Sequence, residues 1–404
     1  LSTLDQTARA AGGRIVAALA AAFRDLDLAE EAYAEACARA AAVWPQAPPL
    51  NPPAWLYATA RRCALDMIRR RIIRRNATLE APEPEASAED AMASDARLIP
   101  DERLRLIFVC CHPAVAPEAR AALTLRLVCG LSVPEIARAF LVAEPAMFQR
   151  LTRAKKKIAQ AGVSFEVPGP EAWPERLAAV LSTLEVAYAR AHEDAAGTGP
   201  HAGYAREMLG LTAVLAELLP HEPECLAFAA LVRFAEARRP ARRDAEGAMI
   251  PLSEQDPNLW NRPLIAEGDR LLKAAARLNR PGPRQLRAAL HGVWCVRRAR
   301  SDPPPWSAAL ALHDLLLAWR EDPFVRINRA VVLAEIAGPA AALAEIEALD
   351  AARLDDFQPF HAVRADLLAR LGRRDEALAA YDRAIEMAPG PAERLWLIRR
   401  RIDL

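Results

Sequence analysis

The chain has 404 residues, 53% of them apolar, and a formal net charge of +1 at pH 7. That length allows two or three domains with sizeable cores. It contains no run of about 18 apolar residues, so no transmembrane helix is expected, and no basic-then-apolar N-terminal leader is recognisable. The seven cysteines form no CxxC pair and are odd in number, which argues against a disulfide framework and for the reducing cytoplasm. Cys110-Cys111-His112 is the one cluster of metal-ligand type. It falls short of the four ligands of a zinc site, so no metal and no cofactor are expected.

Residues 3–22 are Ala-rich, with Ile15, Val16, Leu19 and Phe23 at helical spacing. Asp25 or Asp27 can cap a second helix, Leu28 to Val43. The early part of this helix is acidic (Glu30, Glu31, Glu35), as the helix dipole favours. Five prolines in residues 44–53 make a stiff loop. Pro53 opens a long helix in which Leu56, Ala60, Cys63 and Met67 share one face. Trp55, Arg62, Asp66 and Arg69 share another. Residues 61–75 hold seven Arg, among them Arg61, and one Asp. A ring on a basic helical face suits an unpaired base and its phosphates. The alternative is that Trp55 is core and the Arg run is a solvated helix end. Residues 76–100 are acidic and rich in Pro and Ala, and read as a linker between two small helical domains.

A new domain starts near Asp101. One helix runs to about Cys111, His112-Pro113 turns a corner, and a second helix covers Pro117 to Val128, closed by Gly130. Residues 131–161 then read as two helices with a tight turn. Ser132 and Glu135 form a capping box, with Pro134 in the first turn. The first helix ends near Phe140, Leu141-Val142-Ala143 is the turn, and Glu144-Pro145 restart the helix. Met147, Leu151, Ala154 and Ile158 are spaced by four, three and four residues, one apolar face. The other side carries Gln149, Arg150, Arg153, Lys156 and Lys157. Amide and guanidinium groups reach base edges in a major groove, and the later lysines meet phosphates. Many helical hairpins carry a basic face that is only solvated, and this stretch by itself does not separate the two readings.

From Val167 the chain is helical again, with helices expected near 174–194, 202–219, 222–238, 263–279 and 283–300. Residues 361–389 fit a tetratricopeptide (TPR) unit, with Gly372, Ala377, Tyr381, Ala384 and Pro389 at the expected offsets. Gly338 precedes Gly372 by 34 residues, the period of that repeat. Ala311, Leu315, Ala318 and Pro323 stand at matching offsets in an earlier helix. TPR-like units are therefore expected at about 305–389. His192-Glu193 and His221-Glu222 lack the second His of a zinc-protease helix, and no Gly-rich phosphate loop is present, so no enzyme is expected.

The segments DLDLAEEAYAEAC, NPPAWLYATARRCALDMIRR and SVPEIARAFLVAEPAMFQRLTRAKKKI, with the acidic stretch between the last two, resemble an extracytoplasmic-function sigma factor of the sigma-70 family. DERLRLIFVCCHPAVAPEARAALTLRLVCGLSVPEIARAFLV and LIAEGDRLL resemble the subgroup with a long, TPR-like C-terminal extension. The resemblance covers nearly the whole chain and implies an all-α fold: two small helical sigma domains, the second with a helix-turn-helix, followed by a TPR-like solenoid. It implies a region 2-like domain at 1–75, the linker at 76–100, a region 4-like domain at 101–167 and the extension at 168–404. The first domain is then expected on the β′ clamp helices of core RNA polymerase, through Asp27, Glu30, Glu31 and Glu35. Trp55, Arg61, Arg62 and Arg69 are expected along the −10 element. The second domain is expected on the β flap, with Phe148, Gln149, Arg150, Arg153, Lys156 and Lys157 at the −35 element. A protein partner is expected on the TPR-like surface, and no membrane. Ala34 stands where the family usually carries Gln, and Phe148 where a small polar or basic residue is common. The competing readings are a helix-turn-helix regulator that is not a polymerase subunit, and a TPR interaction scaffold.

Overall fold

The computed structural model describes residues 3–75, 102–128, 131–140, 142–163, 177–185, 188, 202–350, 354–388 and 390–404. Among them the chain is all-α: helices and turns, with a lone antiparallel bridge between Arg243 and Met249 and no strand. The acidic stretch 76–100, Gly130, Leu141 and Pro389 lie outside the described residues. Two compact units divide the chain, Leu1–Ala191 and His192–Leu404.

In the first unit the helices Thr3–Phe23, Leu26–Val43 and Pro52–Arg75 pack on one another. Asp25 caps the second of them, its carboxylate accepting from the Leu28 amide at 3.0 Å. The face expected of the third helix is the one that is buried: Leu56, Ala60 and Cys63 are sealed, and Met67 packs beside Cys63. Thr3–Phe23 also packs against Glu102–Cys110, so residues on both sides of the acidic stretch share one compact unit. Cys110 and Cys111 are buried thiols in this packing, and burial pushes Cys111 up to about 11.

In the second unit, helices follow one another in a row. From Ala202–Leu218 to Pro391–Ile402, most pack chiefly on their neighbours in sequence, while Pro283–Trp294 packs most closely on Pro223–Ala237, two helices back. Residues 238–261 form a connection of two 3-10 turns, Arg239–Ala241 and Pro257–Leu259. The last helix returns to it: the Met249 amide donates to the Ala392 carbonyl at 3.1 Å, and Arg399 pairs with Asp244 at 2.5 Å. Pro283–Trp294 stops six residues short of the expected 300, and Arg298 and Ala299 donate their amides to the Asp302 carboxylate in the turn that follows.

Near the C-terminus the expected small-residue positions are buried. Ala377, Tyr381 and Ala384 are sealed on one face of Arg374–Glu386, against the core that includes Ala365 and Leu368. Gly338 and Gly372 both adopt positive φ, 88° and 75°, between paired helices. A side chain at such a φ is strained, which is why glycine recurs there. The earlier helix departs from expectation. In Trp306–Trp319 the buried residues are Ala309, His313 and Leu316, whereas Ala311, Leu315 and Ala318 face solvent. That helix is apolar nearly all round, so sequence spacing did not define which stripe turns inward.

Candidate nucleic-acid interface

The helix-turn-helix forms from Val133–Ala139 and Glu144–Gln160. The Phe140 amide closes on the Ile136 carbonyl at 3.0 Å, and the Val142 amide on Ala137 at 3.0 Å, which turns the chain within a few residues. Pro145 sits in the first turn of the second helix, where the missing N–H costs no bond. Met147, Leu151, Ala154 and Ile158 are all buried, so the opposite face is fixed outward. Gln149, Arg153, Lys156 and Lys157 are exposed, Arg150 is half-buried, and Phe148 is 61% exposed. Arg153 leans on the Gln149 side-chain oxygen at 3.5 Å, one turn away, a contact loose enough to exchange.

The segment 44–75 is arranged differently. Trp55 is half-buried and meets Trp44 edge to face, with ring centroids 5.6 Å apart. Part of its ring is therefore spent on packing. Arg61, Arg62 and Arg69 are exposed, and Arg69 lies 3.9 Å from Asp66. Arg71, which the sequence did not single out, spans Asp25 and Glu31 at 3.3 Å each.

The four acids of the Leu26–Val43 helix are all engaged within the chain. Glu35 pairs with Arg39 at 3.0 Å and Glu31 with Arg71. Glu30 is mostly buried; its two oxygens take Lys155 at 2.9 Å and Arg126 at 2.7 Å. Lys155 also reaches Asp27 at 2.5 Å. Arg126 uses a second N–H on the Leu131 carbonyl, at the entrance to the helix-turn-helix. Burial by itself would lower the Lys155 ammonium, but Asp27 and Glu30 together outweigh it and hold Lys155 above its ordinary range. Lys155 is thus turned from the outer stripe toward the acid face. Sequence reasoning passed over it, since its only local signal was a place between the apolar and basic faces.

No helix among the described residues is long and apolar enough to cross a membrane. Residues 105–158 match the sigma-70 region 4 family, a transcription-factor domain and not an enzyme. That match covers the helices from Glu102–Cys110 to Glu144–Gln160 almost end to end. Residues 176–276 match a family of unknown function, DUF6596. An uncharacterized protein of Rhizobium meliloti is 40% identical over 388 residues, covering 94% of this chain and 90% of that protein. No solved structure matches. The chain belongs to the same family as that Rhizobium meliloti protein, and the segment that carries its helix-turn-helix is similar to region 4 of sigma-70 proteins.

Proposed function

We propose that the chain is a sigma factor of the extracytoplasmic-function type: a cytoplasmic protein that binds core RNA polymerase and directs it to a subset of promoters. The observation that carries this reading is the Glu144–Gln160 helix, with four buried apolar residues on one side and a polar-then-basic row on the other. Gln149, Arg150 and Arg153 face base edges of the −35 element, and Lys156 and Lys157 face phosphates. Phe148 is exposed beside them, and an apolar ring at that place suits a thymine methyl group. Residues 1–75 form the region 2-like part, in which Asp27, Glu30, Glu31 and Glu35 face the β′ clamp helices. Arg61, Arg62 and Arg69, with the free edge of Trp55, follow the −10 strand. Residues 101–167 form the region 4-like part on the β flap, joined to the first by the acidic linker 76–100. Residues 168–404 make up a TPR-like extension that presents a surface to a protein partner.

In vitro transcription with core polymerase and the full chain tests this. Promoter-dependent transcripts are expected, and their absence together with no binding to core polymerase sinks the reading. Arg150→Ala with Arg153→Ala is expected to weaken −35 use by about 1–3 kcal/mol for each arginine that hydrogen-bonds a base edge, with core binding unchanged. Phe148→Ala is expected to reduce discrimination for thymine over cytosine at one −35 position, read from promoters differing at single bases. A regulator that is not a polymerase subunit would instead bind the isolated duplex tightly and lose that affinity steeply with salt.

A further inference from the structure

The second unit holds a cavity of about 370 Å³ between the helices Pro283–Trp294, Trp306–Trp319 and Pro323–Ala337. That volume lies in the range of small-molecule sites, roughly 300–1,000 Å³. Its walls are largely apolar. Trp294 and Trp306, which meet edge to face at 5.1 Å, line it with Leu290 and Val332.

Among the described residues one full charge lines this cavity, Arg238, and no Asp or Glu does. Arg238 is 5% exposed, yet among the described residues no carboxylate lies within ion-pair distance of it. Its partners are neutral. Nη1 donates to the His291 carbonyl at 3.1 Å and to Cys295 Sγ at 3.4 Å, and Nη2 lies 2.7 Å from His291 Nδ1. A guanidinium has five N–H groups, so Nε and one Nη2 proton keep no protein acceptor among the described residues. Two other buried arginines of this unit are settled differently. Arg233 pairs with Glu267 at 2.5 Å, and Arg297 spends Nε, Nη1 and Nη2 on the carbonyls of Asp302, Ser253 and Arg300. A buried cation without a counter-ion or a full set of acceptors is costly. Across the same cavity His313 is almost fully buried, and its Nδ1 has no hydrogen-bond partner. Burial, then the Arg329 charge, holds His313 below its ordinary range, so it is neutral and adds no second charge.

We propose that this cavity binds a small planar monoanion: a carboxylate carried on an aromatic or conjugated ring. The carboxylate accepts from the free N–H groups of Arg238 and supplies the missing counter-ion. The ring lies against Trp294 and Trp306. A phosphate dianion fits less well, because its second charge meets only neutral groups and apolar wall.

Calorimetry on the full chain tests this with four probes: 2-naphthoate, 2-naphthamide, 2-naphthyl phosphate and acetate. Naphthoate is expected to bind saturably, at least about tenfold tighter than each of the others, since an uncompensated buried charge decides the preference. Arg238→Met is expected to erase the preference for the acid over the amide, and Arg238→Lys to keep part of it. Should Arg238→Met fail to fold, Val331→Trp closes the mouth from a partly exposed position without touching Arg238, and is expected to abolish naphthoate binding. No saturable naphthoate binding, equal binding of acid and amide, tighter binding of the phosphate, or native binding by the folded Val331→Trp chain each overturns the proposal.

Discussion

Glu30→Gln is expected to destabilise the first unit by about 1–3 kcal/mol, the cost of removing a charge that two cations share. The substitution keeps shape and volume, so no cavity contributes. It leaves Lys155 with Asp27, whose side chain is 68% exposed and solvated, and leaves Arg126 with the Leu131 carbonyl. The expected loss lies below the roughly 3–5 kcal/mol of a fully buried pair because Glu30 and Lys155 each keep 18% of their side-chain surface in water. Hydrogen exchange of the amides in Glu144–Gln160 and Leu26–Val43 reads the loss locally. A cycle with Lys155→Met isolates the coupling, which should be smaller at high salt. A change within about 0.5 kcal/mol would mean the contact is merely solvated. If the same acids face polymerase as proposed, the two variants act on core affinity with opposite sign. Lys155→Met frees Asp27 and one oxygen of Glu30, the other staying on Arg126, and raises it, whereas Glu30→Gln removes a contact and lowers it.

Phe234→Ala is expected to cost the second unit about 3–5 kcal/mol, as for a fully buried aromatic ring. The ring is held between two glycines. A Cβ on Gly268 would stand 2.9 Å from Phe234 Cε1, and one on Gly292 3.2 Å from Cζ. Gly268 lies inside the Arg262–Arg277 helix, where alanine is favoured over glycine by about 1 kcal/mol. Sterics oppose that gain. The ring cannot swing away from Gly268 without pressing on Gly292, so Gly268→Ala is expected to destabilise by about 1–3 kcal/mol on balance. Phe234→Leu with Gly268→Ala should cost less than the sum of the two single changes, because the smaller side chain clears the new methyl. Hydrogen exchange within Pro223–Ala237 reports on this unit directly, which matters in a chain of two compact units. A neutral or stabilising Gly268→Ala would show that propensity outweighs the contact.

Local chemistry settled much of the fold before any contact was known. The spacing of Met147, Leu151, Ala154 and Ile158 determines which side of that helix is buried, because 3.6 residues per turn is a property of the backbone itself. The exposure of Gln149, Arg153, Lys156 and Lys157 follows from it. Ala377, Tyr381 and Ala384 were legible for the same reason, and the positive φ of Gly338 and Gly372 because glycine alone adopts it without strain. Where a helix is apolar all round, as in Trp306–Trp319, that signal vanishes and only docking selects Ala309, His313 and Leu316. Tertiary structure also decided everything that joins distant parts of the chain. Lys155 meets Asp27 and Glu30 across more than 120 residues, and Trp55 shares its ring with Trp44 across a proline loop. Arg238 reaches His291 and Cys295, 53 and 57 residues away, and is left without an acid. Periodicity fixes the face that a helix turns inward. Which charge meets which depends on how the helices dock, and that is set by the packing of all of them at once.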